Sequence, residues 1–144
     1  MKKFMILFFL LGGSAVRAET AWFTVLGDPG NPAADTVEVD PTPVAVSAGV
    51  RTLRVRSNRS VQRTSQDGVA YRSYRAEVLF DCINKSAKYV SIDFYLQPLW
   101  KGEPYQVSLY TKEDPRWMQF RDIEPNPTRR IVRAVCESAS VTNN

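Results

Sequence analysis

The chain has 144 residues, 44% of them hydrophobic and 24% charged, with 19 basic and 15 acidic residues for a formal net charge of +4. It contains no histidine and two cysteines. The missing imidazole excludes Ser-His-Asp and Cys-His catalysis and the commonest zinc sites.

The N-terminus opens on Met1-Lys2-Lys3, continues in an apolar stretch from Phe4 to Leu11 and closes on small residues up to Val16-Arg17-Ala18. A basic start, a short apolar core and a Val-x-Ala end predict a secretory signal peptide over residues 1–18. The stretch is shorter than the roughly 20 residues that span a bilayer, so no transmembrane segment is expected. No cysteine follows it, so no lipid anchor is expected at this site. Lys2, Lys3 and Arg17 leave with the signal, so the mature chain carries 16 basic against 15 acidic residues, a net of +1. That balance does not indicate a basic nucleic-acid-binding protein. Residues 19–144 suit a single domain with one modest core. Their charge is uneven: residues 19–40 hold five acids and no base, while residues 51–75 hold seven arginines and one acid. Those two segments are expected to lie side by side in a sheet.

Alternation with period two dominates the mature chain and predicts antiparallel strands. Trp22 to Leu26 forms a first strand, ended by the turn cluster from Gly27 to Pro32. Thr36 to Asp40 alternates with Val37 and Val39 inward, and Pro41 and Pro43 stop it. After Gly49, Leu53 and Val55 face one side while Thr52, Arg54 and Arg56 face the other. Residues 57–69 are polar and aperiodic and are expected as a mobile loop. From Tyr71 the strongest strand begins, with Tyr74, Ala76, Val78, Phe80 and Cys82 on one face. A turn at residues 84–87 leads to a return strand with Val90, Ile92, Phe94 and Leu96 aligned, making a hairpin. A loop over residues 97–104 precedes a short strand from Tyr105 to Tyr110, and residues 112–125 are irregular. At the end Asn126 caps, Pro127 takes the first helical position, and Thr128, Ile131, Val132, Val135 and Cys136 line one helical stripe.

The expected fold class is α+β: a small antiparallel sheet of about five to six strands with one C-terminal helix packed on it. Cys82 on the core face of the sheet and Cys136 on the apolar face of the helix are natural partners. In the oxidising compartment beyond an export signal they are expected to form a disulfide.

These segments carry a resemblance. Val39-Asp40-Pro41 is followed by Gly49 and the strand from Arg51 to Val55, then by Tyr71-Arg72-Ser73 and Phe80-Asp81-Cys82. The return strand ends at Tyr95, and Pro125-Asn126-Pro127-Thr128 leads to Ala134-Val135-Cys136. In order and spacing the chain resembles the surface-adhesin protein E-like family of bacterial envelope proteins, over about residues 21–137. The resemblance implies a small antiparallel sheet with a disulfide-tied C-terminal helix. The family's name comes from a surface lipoprotein that binds host extracellular-matrix and serum proteins. This chain departs from it in having no cysteine to lipidate.

Residue chemistry indicates no enzyme, no cofactor and no metal site. Glu113-Asp114 and Asp122 with Glu124 lie in loops without an apolar pocket to raise a carboxyl pKa, and read as solvated turn residues. The best binding candidates are Arg54 and Arg56 on one strand face, flanked by Arg51, Arg59 and Arg63, with Trp100 as an aromatic anchor. Guanidinium forks suit sulfated glycans, lipopolysaccharide phosphates or an acidic protein patch. The plainer alternatives are a charged edge strand for the arginines and a cover over a sheet edge for Trp100. Arg129 and Arg130 occupy a helix's first turn, where the macrodipole disfavours cations. Asp122 or Glu124 is expected to compensate them, with an anion site as the alternative. Two sequons, at Asn58 and Asn84, read as chance. The expectation is an exported envelope protein that binds a protein or anionic glycan, as an adhesin for host matrix. The alternative is a periplasmic accessory protein. No oligomeric state follows from the sequence.

Overall fold

The alternating runs close into one antiparallel sheet. The computed structural model describes residues 21–140, so the expected signal peptide at residues 1–18 lies outside the described residues. Among them are strands β1 (Phe23–Leu26), β2 (Thr36–Val39), β3 (Ala45–Ser47), β4 (Val50–Thr64), β5 (Ala70–Asp81), β6 (Ser86–Tyr95), β7 (Gln106–Leu109) and β8 (Arg116–Trp117), and helix α1 (Thr128–Ser140). The order across the sheet is β1-β2-β4-β5-β6-β7, with β3 also paired to β4 and β8 to β6. The sheet is thus six strands wide, and with α1 it realises the expected α+β layout. The acidic segment and the arginine-rich one do lie side by side, as β2 against β4.

One face of the sheet carries the core. Leu53 and Val55 of β4 and Ala76, Val78 and Phe80 of β5 point to it, and Ile131, Val132 and Val135 of α1 close it from above. Val55, Val78, Phe80 and Ile131 are fully buried, each stabilising by about 2 kcal/mol relative to exposure. Met118, Phe120 and Ile123, from the segment before α1, fill the remainder. The helix starts where its cap predicts: the Thr128 amide donates to Asn126 Oδ1 at 3.0 Å, and the Ile131 amide reaches the Pro127 carbonyl at 2.9 Å.

Two stretches depart from the periodic reading. Residues 57–64 are not a loop but the second half of β4, and the loop shrinks to the turn between Thr64 and Ala70. A wide bulge hides the strand from sequence. Asn58 pairs with Ser73 and Arg63 with Tyr71, so residues 59–62 stand opposite Arg72 alone. The Arg72 guanidinium fills the gap by donating to the carbonyls of Arg59 (2.7 Å), Ser60 (2.9 Å) and Pro32 (2.8 Å). The second departure is in β6, where a bulge between the Glu77 and Val78 pairings leaves Val90 without a partner on β5. Before it Ala87 and Tyr89 face the core, after it Ile92 and Phe94 do, and Leu96 is exposed. A one-residue slip flips every side chain to the other face.

Cys82 and Cys136 form the disulfide, with Cα atoms 5.6 Å apart. It ties the end of β5 to α1 and closes a loop with a sequence separation of 54. Replacing both cysteines by serine is expected to lower the unfolding free energy by about 4 kcal/mol in the chain-entropy account. Urea denaturation followed by circular dichroism measures this, and a loss below about 1 kcal/mol would show that the bond constrains little.

Candidate functional site

The face of the sheet opposite α1 is polar, and three of the expected binding residues meet there. Glu38, Arg56, Arg75 and Asp93 stand side by side in one cross-strand row, and Arg54 and Glu77 pair in the next. Arg56 grips the buried Glu38 carboxylate with both arms, Nε to Oε2 at 3.0 Å and Nη2 to Oε1 at 3.1 Å. Its guanidinium carbon lies 4.3 Å from the centre of the Trp22 ring and 4.2 Å from that of Trp100. The charge is therefore stacked against two indoles as well as ion-paired, an arrangement suited to arginine's flat, weakly hydrated head. Arg56 and Arg75 are cross-strand neighbours of like sign, which alone destabilises. The negative face of Trp100, 6.0 Å from Arg75, offsets that repulsion.

Trp100 does not reach this position by default. It ends the 3-10 turn Pro98–Trp100, in which Leu99 and Trp100 both take left-handed backbone angles, φ 55° and 58°. Such conformations cost of order 1 kcal/mol or more per residue outside glycine. Buried polar groups hold them. Asn58 Oδ1 accepts from the Leu99 amide at 2.9 Å, and Ser73 Oγ accepts from the Trp100 amide at 3.0 Å. Ser73 also donates to the Gln97 carbonyl at 2.6 Å, and the Trp100 indole N–H donates to the Tyr74 carbonyl at 2.8 Å. Asn58 further donates to the carbonyls of Pro32 and Ala34, so one side chain locks both the β1–β2 connection and the tryptophan turn. It is fully buried, which rules out a glycan on its sequon. Asn58 and Ser73 position the site, and neither stands out in sequence: a small polar residue in a polar strand looks like a solvent-facing one.

The other candidates go elsewhere. Arg54 stays on the outer face, its side chain 55% exposed, with Asp40 at 3.8 Å in a weak surface pair. Arg51 pairs with Phe80 and shares the core-side face of β4 with Leu53, so it does not join Arg54 and Arg56. Arg59 is buried. Its Nε donates to Asp35 at 3.1 Å, Nη1 to the Tyr71 hydroxyl at 3.2 Å and Nη2 to Asp122 at 2.9 Å. Burial disfavours its charge, but Asp122, Tyr71 and Asp35 outweigh that and hold its pKa above the ordinary arginine value. Arg63 lies 3.5 Å from the same Asp122. Asp122 is thereby engaged with β4 rather than with Arg129 and Arg130. Of the five strand arginines Arg59 alone is buried, among Asp35, Tyr71 and Asp122, partners that residue spacing cannot reveal.

Alternating charge makes the outer face self-neutralising: Glu38, Asp40, Glu77 and Asp93 interleave with Arg54, Arg56 and Arg75. What it offers is a partly buried Trp-Arg-Trp stack with the exposed Arg54 beside it. Among the described residues no three acidic or cysteine side chains converge as metal ligands would, and no helix is long and apolar enough to cross a membrane. In comparison with known proteins, the family model described as surface-adhesin protein E matches residues 22–137. No curated protein and no solved structure matches the chain.

Burial raises the Asp35 carboxyl pKa, but the Ser60 amide and Arg59 outweigh it, so the group titrates below the ordinary carboxylate range. Its contribution is therefore present above the unfolded value near 3.9 and is lost as pH falls through the folded one. With no histidine to titrate, the urea midpoint should be flat between about pH 5.5 and 7 and fall below about pH 4. Asp35→Asn should lose about 2 kcal/mol at pH 7 and flatten the acid limb. An unchanged limb in that variant would remove Asp35 from the account. Ser73→Ala should release the Trp100 turn, destabilising by about 1–2 kcal/mol and shifting tryptophan emission to the red. Unaltered emission would show that the turn holds without the hydroxyl.

Proposed function

The chain belongs to the surface-adhesin protein E family, and from this premise we propose that it is an exported bacterial envelope protein that adheres to host extracellular-matrix protein through the outer face of its sheet. Residues 1–18 direct export, and residues 19–144 are the single binding domain. The observation that carries the reading is the Trp22-Arg56-Trp100 stack, held in a backbone conformation that costs energy and is fixed by Asn58 and Ser73. Tryptophan and arginine are the residue types most enriched where binding energy concentrates. Rings already immobilised lose little further freedom when a partner arrives, so their burial translates into affinity. Arg54 beside them supplies an adjustable charge for the rim of such an interface.

A protein fits this face better than a polyanion does. Each strand arginine on it has an acidic neighbour, so an anionic chain laid across it meets as many carboxylates as guanidiniums.

The test is binding of the oxidised mature chain to surfaces coated with fibronectin, laminin or collagen. Trp100→Ala combined with Arg54→Ala is expected to weaken binding about tenfold or more while the urea midpoint shows the fold intact. Glu38 still holds Arg56 in that variant, so the sheet keeps its charge pairing. Full affinity in the double variant would remove the outer face from the reading. No binding by a folded, disulfide-intact sample would point to a periplasmic accessory role with another envelope component as partner.

A further inference from the structure

Five cations without ion pairs cluster on the other side of the molecule, around the start of α1. Among the described residues Lys85, Arg121, Arg129, Arg130 and Arg133 make no ion pair, in contrast to Arg54, Arg56, Arg59, Arg63 and Arg116. The first turn of α1 holds no acid, Asp122 is bound to Arg59, and Glu124, the nearest acid before the helix, forms no ion pair with these arginines. Three of the five are thus held in the first two turns of a helix, against the macrodipole and against each other. Nothing in the packing requires it, because Arg129, Arg130 and Arg133 are exposed.

The five cations line three adjoining depressions. The first, of about 480 Å³, lies between the β5–β6 turn and the helix, with Lys85 on one wall, Arg129 and Arg133 on the other and the Cys82–Cys136 disulfide between. The second, of about 330 Å³, is walled by Arg129, Arg130 and Arg133, and the third, of about 360 Å³, by Arg121 and Arg129. Arg129 is common to all three. Glu137, at the far end of the first, is the one acid on these walls. Arg129 and Arg133 are stacked one helical turn apart, about 6 Å along the axis. Lys85 is fixed on its own side: its turn is tied by Asp81, which accepts from the amides of Ile83 and Asn84 at 3.1 and 3.0 Å and from the Asn84 side chain at 2.7 Å.

We propose that this track of cations around the start of α1 is a binding site for a densely anionic linear polysaccharide of the sulfated-glycan type. Charge complementarity calls for an anion with several groups within reach of five cations. The succession of depressions, bending from the β5–β6 turn round the helix end, calls for a chain able to follow a concave path. A flat bilayer surface would touch only the rims. Each sulfate placed between neighbouring guanidiniums accepts charge-assisted hydrogen bonds in the paired geometry that arginine favours. The site is independent of the outer face, from which the whole sheet separates it.

Heparin is the probe, measured against the oxidised mature chain across a salt series by calorimetry. Saturable binding that weakens with salt is expected, with a log–log slope that falls by roughly one for each cation removed, as for other polyanions. Arg129→Gln with Arg133→Gln should weaken binding at least about tenfold, and Lys85→Gln should weaken it too although it leaves the helix untouched. Trp100→Ala and Arg54→Gln should leave heparin binding unchanged, which separates this site from the outer face. The helix variants relieve the macrodipole and should melt no lower than the parent, so a loss of binding cannot be a loss of fold. Hyaluronan, with its sparser charge, should bind more weakly than heparin. The proposal is overturned if the folded chain does not bind heparin at low salt or if the arginine pair is without effect. It is also overturned if phosphatidylglycerol vesicles, and not heparin, depend on that pair.

Discussion

A single buried guanidinium organises this molecule. Arg59 joins three parts of the chain that are far apart in sequence: Asp35 before β2, Tyr71 on β5 and Asp122 before α1. Desolvating a charge costs several kcal/mol, so such a cluster is tolerated only where its hydrogen bonds are complete. Here all three nitrogens donate. Arg59 follows the inward parity of Leu53, Val55 and Ser57, and the bulge at residues 59–62 begins at it. Arg72 then has to satisfy the carbonyls that the bulge releases. The displaced backbone also sets Asn58, the last residue in register, where it can grip the β1–β2 connection and the turn carrying Trp100. The outer face is thus shaped by a charge that never reaches it.

The periodic parts of the chain were legible because burial alone decides them. Val37 and Val39, Leu53 and Val55, and the run from Tyr74 to Phe80 alternate in sequence and in space. The helix announced itself through Asn126, Pro127 and its stripe, and the two cysteines fell on facing surfaces. The polar half of β4 was illegible for a specific reason: Ser57, Asn58 and Arg59 are buried by hydrogen bonds rather than by apolar packing, and a buried polar strand has the composition of a loop. The slip at Val90 was hidden because a bulge changes no residue, only the parity of those after it. The arginine cluster misled by proximity in sequence. Arg51, Arg54, Arg56, Arg59 and Arg63 lie within thirteen positions, yet a strand sends them to opposite faces and one of them is buried.

Net charge conceals the arrangement that matters here. The described residues set acids beside arginines on one face and leave arginines without ion pairs at one helix end. The paired face spends no attraction on ions at a distance and offers shape and stacked rings instead, which suits recognition at contact range. The open end projects a field that extends over about a Debye length, roughly 8 Å at physiological salt, and suits capture of a charged chain before contact. The two surfaces lie on opposite layers of the molecule, so occupants of the two would not compete for area.

The disulfide also sets how the molecule carries mechanical load. Tension applied from the β1 end of the chain to α1 runs along the strands as far as Cys82 and then crosses the sulfur–sulfur bond to Cys136. Residues 83–135 are bypassed. That shunted segment holds β6, β7, β8 and the turn with Trp100, so their backbone feels no direct pull while the bond is intact. Under such tension the Trp100 turn is shielded covalently, while Trp22 and Arg56, which stack with it, stay on the loaded path.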